Sequence, residues 1–219
     1  MRNDECPMTK GRAFTLIEVL VVMAIVATLV ALLVVAFSTI QERARITQDI
    51  NNLRQIAVAT QTYLNDNDGA FFLPSGGATP WMKFLHPKYL SNWKIFQSPF
   101  DKRPPAENDT TSPVSYGFNA NAKSGGAALL SEKITNPSAF ILFAPAQTTG
   151  ASVSFTGTAA TSVTVDKNGG SSQGTAVGGT HNKRQRIDAC MADLHVENML
   201  WKVYTDASSD TTATQRWSP

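Results

Sequence analysis

Arg12-Ala13-Phe14-Thr15-Leu16-Ile17-Glu18 runs directly into an uncharged apolar stretch that extends from Val19 to Phe37. As a helix rising 1.5 Å per residue, that stretch is roughly 28 Å long, about the thickness of a bilayer's hydrocarbon core. The segment predicts a membrane span with one carboxylate, Glu18, at its start. A charged group there costs up to about 2.5–3.5 kcal/mol at the helix centre and less near an end, so Glu18 is the first candidate functional residue. An ordinary secretory signal has an apolar region of about 7–15 residues and then a small-residue cut site. Here the run is longer, and the polar continuation Ser38-Thr39-Ile40-Gln41-Glu42-Arg43 has no such exit, so the apolar helix is expected to be retained. Arg2, Lys10 and Arg12 outnumber Asp4 and Glu5 ahead of the span. The positive-inside bias places that end in the cytoplasm and the bulk of the chain outside the inner membrane.

Helical periodicity continues past the membrane. Between Ile40 and Leu64 the apolar Ile46, Ile50, Leu53, Ala57 and Leu64 recur at threes and fours, while Glu42, Arg43, Arg45, Gln48, Asp49 and Arg54 are assigned to the other faces. No Pro or Gly interrupts Phe14 to Leu64, and Asn65-Asp66-Asn67-Asp68-Gly69 supplies turn formers and a left-handed cap. The predicted helix is about 76 Å long, with a lipid-facing first half and a stripe in its second half that a globular domain must cover.

These features resemble the class III signal of type IV pilins and type II secretion pseudopilins. In that family a short basic leader is cut just before a Phe, the new amine is methylated, and a Glu five residues into the mature chain guides filament assembly. The resemblance implies a cut between Ala13 and Phe14 by a prepilin peptidase and methyltransferase, with Phe14 methylated and Glu18 in the assembly position. The family usually has Gly directly before the cut; here Gly11 lies two residues upstream of Ala13. The implied partners are the membrane, the processing enzyme and other pilin or pseudopilin subunits. The resemblance also implies that the Glu18 carboxylate, without a partner before assembly, pairs with the Phe14 amine of a neighbouring subunit.

Residues 1–13 therefore form the expected leader, 14–64 the long helix and 65–219 an extracytoplasmic domain. About 155 residues after Leu64 suffice for one core, and the fold class is α+β, the helix packing on a mostly antiparallel sheet. A net charge of +2 argues against a nucleic-acid surface, and Lys183-Arg184-Gln185-Arg186 is read as a solvated loop. Cys6 falls in the leader, so Cys190 has no disulfide partner after processing.

The domain opens with dense aromatics from Pro80 to Leu90 and from Trp93 to Asp101, read as short helices or turns against the main helix and bounded by Pro87 and Pro99. Pro137 to Ala144 reads as a buried strand, with half-exposed strands at Ser152–Phe155 and Thr161–Val165 and low complexity between Gly169 and Gly179. Ser115-Tyr116-Gly117-Phe118-Asn119, and a tail running from Gly178-Gly179-Thr180-His181 to Ile187-Asp188-Ala189-Cys190-Met191-Ala192-Asp193-Leu194-His195-Val196, are similar to pilin-like proteins of planctomycete-type bacteria. That subfamily has Asp-Gly-His where this chain has Asp193-Leu194-His195. Gly accepts a positive φ in a tight hairpin, so Leu194 implies a different turn or a strained one.

Enzymatic signals are sparse. Gly170-Ser171-Ser172-Gln173-Gly174 matches Gly-x-Ser-x-Gly with Asp193 and His195 downstream, but no helix follows it as a nucleophile elbow requires. His181, Asp188, Asp193 and His195 carry nitrogen and oxygen ligands without the spacing that would set a metal geometry, and are read as loop and turn residues. Asp166-Lys167-Asn168-Gly169 has two oxygen side chains of a calcium loop but lacks the rest of an EF-hand. No cofactor is expected, calcium being the one ion weighed. The chain reads as a non-enzymatic filament subunit, with a tethered extracytoplasmic binding protein or hydrolase as the alternative.

Overall fold

The computed structural model describes residues 15–72, 80–108, 110–124, 127–148, 152–156, 163–169, 177–206 and 211–219. Gly11, Ala13 and Phe14, and the Gly170–Gly174 stretch, lie outside the described residues. Helix α1 spans Leu16–Asp66 without a break. The chain divides into two units, Met1–Arg43 and Ala44–Pro219, whose boundary falls inside α1.

In the first unit the uncharged run of α1 from Val19 to Phe37 is apolar on every face. Its most apolar window has a mean hydropathy of 3.2, and none of that window is buried. Leu16, Met23, Ile25, Leu29 and Leu32 all stand exposed, which suits lipid or other helices and not water. Thr28 donates from Oγ1 to the Ile25 carbonyl at 2.8 Å, so the hydroxyl is satisfied within the helix. This is a helix long and apolar enough to cross a membrane, consistent with a single-pass anchor.

In the second unit, the stretch of α1 from Ala44 onward buries Leu53, Ile56, Ala57, Ala59, Thr60 and Leu64. Ile46 and Ile50, expected on the stripe, are only half-buried. The helix stops at Asp66, where the Gly69 N–H returns to the Leu64 carbonyl at 2.9 Å and Asp68 and Gly69 take positive φ, the left-handed exit anticipated from Asn65–Gly69. Then α2 (Met82–Leu85) and a 3-10 turn (Trp93–Phe96) bring in aromatic side chains. Phe72, Trp81, Phe96, Phe118 and Phe143 form a contiguous ring cluster with centroids 4.9–6.2 Å apart. Tyr63 of α1 meets Phe72, Phe84 and Tyr89, so the aromatic segment does pack on the long helix.

The strands are β1 (Tyr116–Asn119), β2 (Lys123–Ser124), β3 (Ala127–Ala128), β4 (Ile141–Pro145), β5 (Thr164–Val165), β6 (Arg186–Met191) and β7 (Val196–Leu200). Two short helices follow, α3 (Trp201–Tyr204) and α4 (Thr211–Gln215). Five strands make one sheet in the order β5-β1-β4-β6-β7, antiparallel throughout except for the parallel β1–β5 pair; β2 and β3 form a separate ribbon. The α+β expectation holds. The buried strand begins at Ile141, four residues later than expected, because the Ala139 and Phe140 N–H groups turn back to the Asn136 carbonyl. Phe155 makes only an isolated bridge to Gln147, and just Thr164–Val165 of its predicted strand pairs; residues 161–162 lie outside the described residues.

The β6–β7 hairpin answers the question that Leu194 raised. Its φ is +70°, with its N–H bonded to the Met191 carbonyl and the Met191 N–H to the His195 carbonyl. Leu194 therefore occupies a left-handed position that glycine ordinarily fills, at a cost of roughly 1–2 kcal/mol. Its side chain is half-buried against the core, which offsets part of that cost.

The Tyr116-Gly117-Phe118-Asn119 segment is β1 itself. Gly117 lies where β5 approaches closely: a Cβ there would sit 2.6 Å from Val165 Cγ1 and 2.8 Å from the Thr164 carbonyl carbon. Asn119 donates to the Ile141 carbonyl at 2.7 Å. Gly117→Ala is expected to destabilise the domain by about 1–3 kcal/mol through overpacking against backbone, read as a lower denaturant midpoint for the full chain in detergent.

Candidate functional site

Two carboxylates on α1 define the chemistry of the chain. Glu18 lies in the first turn, and Thr15 precedes the helix as its cap. The Thr15 N–H donates to Glu18 Oε2 at 2.8 Å, the Thr15 hydroxyl donates to the same oxygen at 2.9 Å, and the Glu18 N–H reaches Thr15 Oγ1 at 3.3 Å. This is a reciprocal capping box, and Thr15-Leu16-Ile17-Glu18 carries its Ser/Thr-x-x-Glu signature in plain sequence. Thr15 thus holds the carboxylate by hydrogen bonds within its own turn. The geometry satisfies otherwise orphaned donors and places a negative group at the positive end of the helix dipole.

The second carboxylate, Asp49, expected on a face other than the apolar stripe, is completely buried. Its Oδ1 accepts from the Ser98 hydroxyl at 2.6 Å and from the Tyr116 hydroxyl at 2.6 Å. Asn52, one turn on, donates to the Gln97 carbonyl at 3.0 Å and to the Tyr116 oxygen at 3.4 Å. Asp188 of β6, also fully buried, is its neighbour: each carboxyl acts on the other, and the Oδ2 atoms of both residues meet no ordinary donor. Two neighbouring buried carboxyls repel when both are charged, and a proton held by one of them relieves that repulsion. Burial pushes both carboxyls well above the usual range, and for Asp188 the charge of Asp49 adds to the rise. Burial and the neighbouring Asp49 likewise push the Tyr116 phenol up, which keeps it a donor.

Asn198 of β7 orders the far side of this cluster. The Arg186 guanidinium donates to the Asn198 side-chain oxygen and, at 2.8 Å, to its main-chain carbonyl, so the Asn198 amide nitrogen faces the other way. It donates to Asp188 Oδ1 and to His181 Nε2. His181 Nε2 therefore accepts, and the ring proton resides on Nδ1, 3.0 Å from the Thr180 hydroxyl and 3.9 Å from Asp188 Oδ2. Phe100 stacks on the ring with centroids 5.6 Å apart.

The four residues considered as ligands separate into two pairs at opposite ends of β6. His181 and Asp188 are buried, whereas Asp193 and His195 bond to each other on the exposed hairpin turn. Among the described residues no group of three His, Cys, Asp or Glu is placed to hold a metal ion. Asp166 Oδ1 accepts the Asn168 N–H at 2.8 Å, and Gly169 closes that turn at positive φ against the Trp201 ring. Cys190 is a free, buried thiol that burial pushes above its ordinary range.

A long apolar helix opening on a capped glutamate, followed by an α+β unit, is the architecture of a pilin-like chain. In agreement, residues 8–34 match the family model for the prokaryotic N-terminal methylation motif, which supports a type IV pilin-like protein. No curated protein and no solved structure matches the chain.

The sequence did hold a signal for Asp49. It lies in helical register with Asn52, Leu53, Ile56 and Thr60, the residues that are in fact buried, but its charge argued for solvent. Tyr116→Phe removes one of the two hydroxyl donors to Asp49 Oδ1 and is expected to cost about 1–3 kcal/mol, measured as a shift in denaturant midpoint at unchanged slope.

Proposed function

We propose that this chain is a non-enzymatic subunit of a type IV pilin-like filament, of the type II secretion pseudopilin kind, anchored in the inner membrane with its globular unit on the periplasmic side. The observation that carries the proposal is the start of α1: a methylation motif over residues 8–34 leads into a capped glutamate and then an all-round apolar helix. The Tyr-Gly-x-Asn strand and the His181 to His195 tail, similar to pilin-like proteins of planctomycete-type bacteria, add support.

In this proposal a prepilin peptidase cuts between Ala13 and Phe14, and the exposed amine of Phe14 is methylated. The apolar face of α1 then moves from lipid to the helices of neighbouring subunits, where van der Waals packing holds it. Glu18 enters assembly already satisfied by Thr15, so pairing with a neighbour's Phe14 amine exchanges one set of charge-assisted hydrogen bonds for another. The amine and the carboxylate are neutralised together, which offsets the desolvation of both. The groove beside the outer face of α1, lined by Arg54, Val58, Thr62, Lys88 and Tyr89, offers a surface for lateral contact.

Two variants separate the charge from the cap. Glu18→Gln retains a capping-box residue and removes the charge, whereas Glu18→Leu removes both. Both are expected to reduce subunit incorporation into filaments at least about tenfold, read by shearing and immunoblot; wild-type assembly of Glu18→Gln would overturn the charge-pairing step. The mass of the N-terminal peptide recovered from membranes tests processing. A start at methylated Phe14 is expected, and an intact leader would instead favour a tethered extracytoplasmic binding protein or hydrolase.

A further inference from the structure

Asp49 and Asp188 are buried neighbours from elements distant in sequence: Asp49 lies on α1 and Asp188 on β6, in the middle of the sheet. Both are fully buried, and each leaves its Oδ2 without an ordinary donor. Several groups face the pair. From β1 comes the Tyr116 phenol, from the segment after the 3-10 turn the Ser98 hydroxyl, and from β7 the Asn198 amide. His181, just before β6, presents Nδ1 at 3.9 Å from Asp188 Oδ2. Arg186, on β6 itself, is the cation that acts on Asp188 among the described residues, and its guanidinium is bound to Asn198. No ion pair joins a lysine or arginine to either carboxyl among the described residues.

We propose that Asp49 and Asp188 form a proton-held clasp, which fastens the second half of α1 to the sheet while a proton is shared and loosens it when that proton is lost. Two neighbouring buried carboxylates repel, and neither can turn to water without opening the interface that Leu53, Ile56 and Thr60 complete. Asp49 is raised to about 6 and Asp188 to about 7 from an ordinary 3.8, burial being the largest cause for each. The folded chain thus holds protons that the unfolded chain has released, so the clasp contributes fully below about pH 4 and is lost as pH rises toward 7. This is opposite in sign to the acid lability that most paired carboxylates confer. It makes the hold of helix on sheet stronger in an acidic milieu than in a neutral one, whether or not the chain assembles into filaments.

Hydrogen exchange of the full chain in detergent micelles, followed over the α1 amides 50–60 from pH 4.5 to pH 8 and corrected for intrinsic exchange rates, tests the clasp. In the wild type the protection of these amides is expected to fall at least about tenfold by pH 7.5. Asp49→Asn and Asp188→Asn each replace the shared proton with a permanent amide donor and are expected to reduce that fall to less than about twofold. A wild-type profile that stays level, or amide variants that fall as steeply as the wild type, would overturn the proposal. If a variant fails to fold, isotope-edited infrared of labelled aspartate in the wild type decides. A protonated carboxyl band present at pH 5 and gone by pH 8 supports the clasp, and absence of that band at pH 5 overturns it.

Discussion

A carboxylate removed from water must find donors or keep a proton, and that constraint shapes α1 at both of its functional positions. Glu18 meets it locally: Thr15 lies three residues away on the same turn, and two donors converge on one oxygen. Asp49 meets it through partners 49, 67 and 139 positions away, Ser98, Tyr116 and Asp188. The first solution lets the helix begin in an apolar setting without orphaned N–H groups. The second makes the packing of helix on sheet specific, because the apolar contacts around it could be made in several registers, whereas hydroxyl-to-carboxylate hydrogen bonds can be made in one.

The rest of the second unit fits around that requirement. Tyr116 reaches Asp49 only if β1 runs beneath α1, and Gly117, the next residue, lets β5 approach that strand more closely than a side chain permits. Phe118 and Phe143, directly paired across β1 and β4, then place their rings among Phe72 and Trp81. A four-residue strand thus serves three purposes: polar anchor, close strand approach and aromatic core. On β6, Asp188 faces the helix, while Arg186 and Asn198 align the neighbouring strand ends and fix the His181 tautomer. The free Cys190, sealed in the same strand, behaves as a small apolar residue.

Much of the fold was legible because the signals were local and periodic. An uncharged run from Val19 to Phe37, an uninterrupted helical pattern to Leu64 and a turn-forming exit at Asn65–Gly69 are properties of neighbouring residues, and α1 follows them to within two residues at its end. The strained turn at Leu194 was legible for the same reason, since hairpin chemistry depends on a few adjacent φ values. The strand expected at Ser152–Phe155 is reduced to a bridge because alternation alone does not supply a partner edge. Among the described residues, Thr164–Val165 pair in parallel with β1, and Phe155 makes an isolated bridge to Gln147.

What the sequence determined by itself was the long helix, its apolar first half and the α+β class. Each rests on spacing within one or two turns of chain. The tertiary structure alone decided that Asp49 is buried, that it meets Asp188 and Tyr116, and that His181 and His195 are parted to opposite ends of β6. The physical reason is that burial of a charge is set by which distant groups can neutralise it. A residue's own polarity argues for water until the fold brings a proton-sharing partner within reach.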